Sequence, residues 1–371
     1  VLSWRFKMAA LSGVKTLRSK FRGCLLGALF GDALGAEFEG KYMNVPVPSH
    51  EFVPFSSQEL TEFPKETNRF TFTDDSAMTM ALCRSLLHEK SFNTNHLAQT
   101  FVETYFHEPD RGYGGGVVTV FNRLRTEKVK DVTLPAREQF DGSGSYGNGA
   151  AMRVSPLALF YYNDLGKLKK ASEQNALITH AHALGIHGAI LQAVAVYESL
   201  HAPPGSLDVR QFINKMIVTA KELESKDKKA EKEPKDEACL EESGEERESY
   251  VTQFEHVKQM LVESEGNPNI QHVIETLGHG IKAVEAVPAA IFAFLCKSNT
   301  CFKDVLFYAM SLGGDTDTIG SMAGAIAGAY WGDEQIPEDW YAVTEGVNEI
   351  TEYADKLYSL RVEKSEKCVP H

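Results

Sequence analysis

Ten stretches of this chain place apolar residues at intervals of three and four, and almost none alternates. Such spacing lines one side of a helix, whereas a half-buried strand needs every second residue. The stretches are Phe21 to Leu34, Ser76 to Leu87, Leu97 to Phe106, Ala150 to Tyr162, Gly188 to Leu200, Val209 to Leu223, Tyr250 to Val262, Val287 to Phe294, Phe302 to Ser311 and Thr318 to Trp331. Capping residues precede several of them, such as Thr73-Asp74 before Ser76 and Asp315 to Thr318 before Ile319. The expected fold is all-α. The 371 residues could hold more than one average domain. One segment, Lys221 to Glu248, is almost wholly charged and polar with Pro234 inside it. A run of that kind cannot bury enough surface to offset its ordering entropy. It reads as a mobile surface insertion at 221–248 within a single domain, 21–362, with a basic lead-in at 1–20 and a tail at 363–371.

The formal charge of -13 argues against a general phosphate-backbone binder, so no direct DNA binding is expected. An anionic substrate held through metal ions stays open, because a bound cation reverses the local field. None of the six cysteines forms a C-x-x-C pair, which reads as reduced thiols of an intracellular protein. No apolar run reaches the roughly 18 residues of a membrane span. The most apolar stretch, Ile319 to Trp331, is short and rich in Gly and Ala. Before Asp32 there is no acid, but Arg5, Lys7, Lys15, Arg18, Lys20 and Arg22 are present. That composition fits a mitochondrial presequence or a plain basic lead-in.

Two acidic clusters stand out, Thr73-Asp74-Asp75 and Gly313-Gly314-Asp315-Thr316-Asp317-Thr318, each opening a helix. Capping alone explains one carboxylate or hydroxyl, worth about 1 kcal/mol. Paired aspartates exceed that need. If the clusters face each other, each like-charged pair at 4 Å costs about 4 kcal/mol at an effective dielectric near 20. Oxygen ligands indicate a hard cation that would relieve it, Mg²⁺ or else Mn²⁺ or Ca²⁺. Gly35-Ala36-Glu37-Phe38-Glu39-Gly40 adds loop carboxylates, which read as a solvated surface or a catalytic flap. Two glycine-rich loops follow, Gly112 to Gly116 and Asp141 to Gly149. The second contains G-x-G-x-x-G but lacks the preceding strand and βαβ unit of a dinucleotide fold. Its backbone N–H groups at a helix start suit a pyrophosphate, and Phe140 and Tyr146 could stack on a purine. His180, His182 and His187 look like a zinc cluster only superficially, since no further ligand is placed to help.

Together these motifs resemble the ADP-ribosylhydrolase family, which includes the dinitrogenase-reductase-activating glycohydrolases. The resemblance runs from about Phe21 to Trp340, excluding the charged insertion. It rests on Phe21-Arg22-Gly23-Cys24, Gly31-Asp32, Thr73-Asp74-Asp75, Gly112-Tyr113-Gly114, Gly144-Ser145-Tyr146-Gly147-Asn148-Gly149 and Leu312 to Thr318, followed by Ala323 to Ala329. The long loops look most like the branch that cleaves serine-linked ADP-ribose and poly(ADP-ribose). The resemblance implies one compact orthogonal helical domain with a central cleft holding two Mg²⁺ ions. By position, Thr73, Asp74, Asp75, Asp315, Asp317 and Thr318 would be metal ligands and Glu39 the catalytic flap residue. Gly144, Ser145, Gly147 and Asn148 would cradle the diphosphate, and Phe140 and Tyr146 would sandwich adenine. His180 and Ile281 would line the nucleotide pocket. ADP-ribosylated proteins and poly(ADP-ribose) would be the substrates of a monomer without membrane attachment, in nucleus and cytoplasm or the mitochondrial matrix. Three alternatives remain: a hydrolase of arginine-linked ADP-ribose, a non-catalytic ADP-ribose reader or lens-type structural relative, and a phosphohydrolase acting on the pyrophosphate.

Overall fold

The computed structural model describes residues 16–42, 45–55, 69–127, 129–230, 248–263 and 268–363. Among them no strand forms, and extended pairing is limited to two isolated bridges, Phe70 with Thr344 and Gly147 with Lys282. The expected all-α class is what the chain adopts. The longer helices are α1 (Leu17–Gly35), α2 (Asp74–Glu89), α3 (Thr94–His107), α4 (Gly115–Thr126), α5 (Leu165–Leu177) and α6 (Ala183–His201). They continue with α7 (Val209–Ala230), α8 (Tyr250–Glu263), α9 (Ala283–Lys297), α10 (Phe302–Ser311), α11 (Thr316–Trp331) and α12 (Val347–Tyr358).

Helices α1 and α11 form the axis of the molecule. Every residue of α11 is buried, and α6, α9 and α10 also pack on it. The two run antiparallel along a ridge of glycines four residues apart, Gly23, Gly27, Gly31 and Gly35 on α1 facing Gly328, Gly324, Gly320 and Thr316. A Cβ on Gly23 would fall 2.5 Å from Gly328 O, one on Gly27 2.7 Å from Gly324 C, and one on Gly31 2.6 Å from Ser321 N. Those gaps are closer than carbon atoms tolerate, so only hydrogen fits between the backbones. The C-terminal end of α1 is thereby pressed against the N-terminal end of α11. That contact positions the site.

Several expectations need correction. The stretch Ala150 to Tyr162 is two short helices, Gly149–Met152 and Ser155–Phe160, broken at Arg153 and Val154. Pro156 is the cause: it has no N–H to give Met152 O, and its ring crowds that carbonyl. Helix α7 runs past Leu223 to Ala230, so the first ten residues of the expected insertion, 221–230, are helical. Its polar face is tied down, with Lys169 Nζ 3.0 Å from Glu222 and Ser249 Oγ 2.9 Å from Glu224. The remainder, 231–247, lies outside the described residues, as do 1–15 and 364–371. Helices α4, α5 and α12 were not anticipated. Helix α6 is long and apolar enough to cross a membrane by length and composition, contrary to expectation, with 72% of its apolar window buried against other helices.

The end of the basic lead-in is part of α1. Thr16 caps it, accepting from Ser19 N at 3.2 Å. Arg18 and Arg22 both clasp Asp355 of α12, at 2.9 and 2.6 Å. Lys20 donates to the carbonyls of Leu200 and Ala202 at the end of α6, at 2.8 and 2.7 Å.

Candidate active site

Each acidic cluster opens a helix, and the fold brings the two together. Thr73 is the N-cap of α2, with Asp74 and Asp75 in its first turn. Asp315 precedes α11, and Asp317 lies in its first turn. Thr318 Oγ1 donates to Asp75 Oδ2 at 3.3 Å, directly across the gap between them. Glu39, on the loop after α1, offers an oxygen within 4.8 Å of oxygens from Asp315 and Asp317. Of those three, Glu39 is the exposed one.

Backbone geometry fixes the second cluster. Gly313 and Gly314 both have positive φ, 73° and 68°, which a side chain would resist. Gly314 N donates to Tyr42 O and Asp315 N to His279 O, each at 2.9 Å. Both glycines thus let the chain run close against protein backbone. The first cluster is held by Asp32, which is fully buried on α1 and for which the sequence suggested no role. Its carboxylate accepts from Thr73 N at 3.1 Å, Thr73 Oγ1 at 2.8 Å and Ser76 N at 2.9 Å.

So many acids in one buried space cannot all ionise freely. Asp74 is pushed up to about 8, by burial first and then by Asp32 and Asp315. Burial likewise raises Asp75, with Asp32 and Asp317 adding to it, and raises Asp317, with Asp315 adding to it. Glu39 is raised by burial and then by Asp315 and Asp32. Asp75 Oδ1 is buried with no hydrogen-bond partner among the described residues. A cation fits this set: the donors are all carboxylate and hydroxyl oxygens, the charge is in excess, and one buried lone pair is unspent.

The glycine-rich loop closes over the neighbouring space. Ala283 N donates to Tyr146 O at 3.1 Å and Asn148 N to Ile281 O at 2.9 Å, so residues 146–148 are laced to the start of α9. Asn148 Nδ2 reaches Asp315 Oδ2 at 2.5 Å and ties this loop to the acidic cluster. The loop offers fewer N–H groups than its sequence suggests. Gly144 N is taken by Gln139 O, Gly147 N by Ser145 Oγ and Asn148 N by Ile281 O, which leaves the N–H groups of Ser145 and Tyr146 without a partner among the described residues. Around the loop three large apolar side chains stand in solvent: Phe140 at 60% exposure, Tyr146 at 46% and Ile281 at 68%. Phe140 also has a φ of 50°, strain that a bulky residue holds only where its surroundings enforce it. Here Ser143 Oγ and Ser143 N both donate to Phe140 O, at 2.8 and 3.1 Å.

The three histidines separate. His182 caps α6 through Leu184 N at 3.1 Å, and His187 faces Asp227 at 3.3 Å. His180 lies beneath the loop, its ring against Gly147 and Gly149. Burial, with Arg153 close by, pulls it down to about 3, so it is neutral. Arg153, another residue the sequence did not mark, is wholly buried and donates to Gly149 O at 3.1 Å and Thr179 Oγ1 at 2.9 Å. Thr179 Oγ1 in turn lies 2.7 Å from His180 Nδ1. When Thr179 donates its hydrogen there, the ring hydrogen sits on Nε2, facing the loop.

An acid pair at two apposed helix starts, beside a glycine loop with exposed aromatics, is the arrangement the sequence motifs implied. A profile of ADP-ribosylglycohydrolases matches residues 14–367. The chain belongs to the ADP-ribosylglycohydrolase family. It is 39% identical over 366 residues to the ADP-ribosylhydrolase ARH3 of Mus musculus, spanning 94% of this chain and 93% of that relative. Against the ARH3 of Homo sapiens it is 38% identical over 359 residues, spanning 92% and 93%. Within the family, then, the chain is similar to the ARH3 branch. A solved ADP-ribosylglycohydrolase-related protein complex superposes with a TM-score of 0.59 at 22% identity, covering 94% of this chain and all of the other. That likeness shows the shared helical fold.

Proposed function

We propose that this ADP-ribosylglycohydrolase is a magnesium-dependent hydrolase that cleaves the O-glycosidic bond joining ADP-ribose to serine, and the bonds of poly(ADP-ribose), releasing ADP-ribose. The observation that carries the reading is the meeting of Thr73-Asp74-Asp75 with Asp315 to Thr318 around the unpartnered Asp75 Oδ1. Those six residues of the sequence motifs, Thr73, Asp74, Asp75, Asp315, Asp317 and Thr318, would hold two Mg²⁺ ions. When bound, the ions supply positive charge that orients ribose hydroxyls and acidifies a water.

The protein's own groups do the rest. Phe140 and Tyr146 take the adenine between them, with Ile281 along the pocket wall. The free N–H groups of Ser145 and Tyr146 and the Nε2–H of His180 donate to the diphosphate, with Gly144 and Gly147 allowing close approach. Asn148 holds the loop in register with Asp315, so the nucleotide end and the acid end of the substrate are set by one loop. Cleavage breaks the bond from C1″ to the serine oxygen through an oxocarbenium-like state, a water oxygen bonds to C1″ and gives its proton to a carboxylate of the acidic cluster, and the leaving oxygen needs a proton. Glu39, the exposed member of the group it forms with Asp315 and Asp317, is the residue that supplies it. The serine linkage and the polymer are supported by the resemblance of the two glycine-rich loops to that branch. The same reading gives a monomer acting on ADP-ribosylated proteins in nucleus and cytoplasm or the mitochondrial matrix.

The test is product analysis by mass on matched peptides carrying serine-linked or arginine-linked ADP-ribose. Intact ADP-ribose from the serine peptide alone is the expected result. Cleavage of only the arginine peptide would move the chain to the sister specificity, and AMP as product would make it a phosphohydrolase.

A further inference from the structure

A second cluster of metal-type donors lies at the far end of α2, about 21 Å along the helix from Asp75. His88 and Glu89 end α2, and His96 sits in the first turn of α3. One ligand atom from each lies within 4.8 Å of the others. Glu89 Oε1 is 2.9 Å from His88 Nδ1 and 4.0 Å from His96 Nε2. The two imidazoles stack with centroids 4.6 Å apart and planes 8° from parallel, so a shared ion requires the exposed His88 ring to turn out of that stack until both lone pairs meet.

On His96 and Glu89 the atom turned away from this point is engaged. His96 Nδ1 is 2.9 Å from the Oγ of buried Ser85, and Glu89 Oε2 accepts from Asn93 Nδ2 at 2.8 Å. Metal-binding imidazoles and carboxylates are oriented in this way, the outer atom tied so that the inner one keeps its lone pair. Asn93 also caps α3, accepting from Asn95 N and His96 N at 3.1 and 3.2 Å. The same residue therefore fixes both the Glu89 carboxylate and the backbone that carries His96. His88, with its side chain 70% exposed, leaves a side open to water.

We propose that His88 Nδ1, Glu89 Oε1 and His96 Nε2 form a binding site for a borderline divalent cation of the Zn²⁺ class, clamping the end of α2 to the start of α3. Two imidazoles and one carboxylate with an open position match Zn²⁺. The donor set discriminates against Mg²⁺, which takes oxygen ligands. The acidic cluster has the opposite chemistry, so the two sites divide the cations between them. This site is independent of the hydrolytic reading.

The experiment titrates the full chain with Zn²⁺ under saturating Mg²⁺, following free Zn²⁺ with a chromophoric chelator. The variants are His96→Ala, the solvent-exposed His88→Ala, and Asp315→Ala. One equivalent of Zn²⁺ is expected to bind wild type and Asp315→Ala alike. Both histidine variants should bind it roughly tenfold or more weakly, and Zn²⁺ should raise the melting temperature of wild type but not of His88→Ala. Absence of a bound equivalent would overturn the proposal. So would uptake that survives both histidine changes and disappears in Asp315→Ala. His88→Ala removes an exposed side chain and keeps the test decisive if His96→Ala does not fold.

Discussion

Replacing Gly31 by alanine probes how the fold builds the site. The new Cβ would overlap Gly320 O and Gly320 C and lie 2.6 Å from Ser321 N, so even the least crowded of these three atoms is roughly 0.8 Å short of ordinary van der Waals contact. The obstacle is backbone and cannot rotate aside. Overpacking of this kind costs about 1–3 kcal/mol, and the gain in helix propensity returns less than 1 kcal/mol of it. A net loss of about 2 kcal/mol should lower the melting temperature of the metal-free protein by a few degrees. The same displacement falls beside Asp32 and opposite the turn that carries Asp317. A misplacement approaching 1 Å at a reacting group can cost on the order of 10²-fold in rate. Gly23→Ala meets equally rigid backbone, 2.5 Å from Gly328 O, but about 12 Å further along α1. It should melt early yet keep activity within roughly threefold. The assay pairs thermal unfolding with ADP-ribose release for both variants. Gly31→Ala melting and turning over like wild type would refute the claim that the ridge sets the spacing of the acids.

Other outcomes follow from the same geometry. Asp315→Ala and Asp317→Ala should each lose activity by roughly 10²-fold or more, measured as kcat/KM; near-normal turnover in either, with metal still bound, would remove it from the ligand set. Phe140→Ala should raise KM by about 10- to 100-fold, the worth of one base stacked on an aromatic ring, with kcat changed little; a fall in kcat alone would mean the ring does not hold the base. Asp74, Asp75, Asp317 and Glu39 have pKa values above those of the unfolded chain. Their protonated forms favour the fold, so in EDTA their contribution is present below about pH 4 and is lost as pH rises toward the value near 8 of Asp74. Mg²⁺ should therefore raise the melting temperature more at pH 8 than at pH 5, and an equal rise at both would contradict the buried-acid electrostatics.

Much of this was legible in the sequence because it is local. Apolar spacing announces most helices, and paired aspartates at two helix starts exceed what capping requires. What stayed hidden depends on contacts distant along the chain. Glycine normally counts against a helix, so the four-residue repeats at Gly23 to Gly35 and Gly320 to Gly332 could be read as a packing ridge only once their partner was known. Asp32 serves Thr73 and Ser76, more than forty residues away, and by itself looks like a polar residue ending an apolar helix. Helix α5 buries Ser172 and Asn175 along with Ala171 and Ala176, a face too polar to register as a hydrophobic stripe. Arg153 sits in an apolar run beside Pro156, and nothing local says that its guanidinium braces the loop above His180. Helix α7 persists into the charged segment because neighbouring elements satisfy its polar face.

The most direct measurement is ADP-ribose release from a serine-ADP-ribosylated peptide by the full chain, with Mg²⁺, with EDTA, and after Mg²⁺ is restored. A single site built from both acidic clusters predicts release with Mg²⁺, none in EDTA, and recovery on restoration. Release at full rate in EDTA would contradict it.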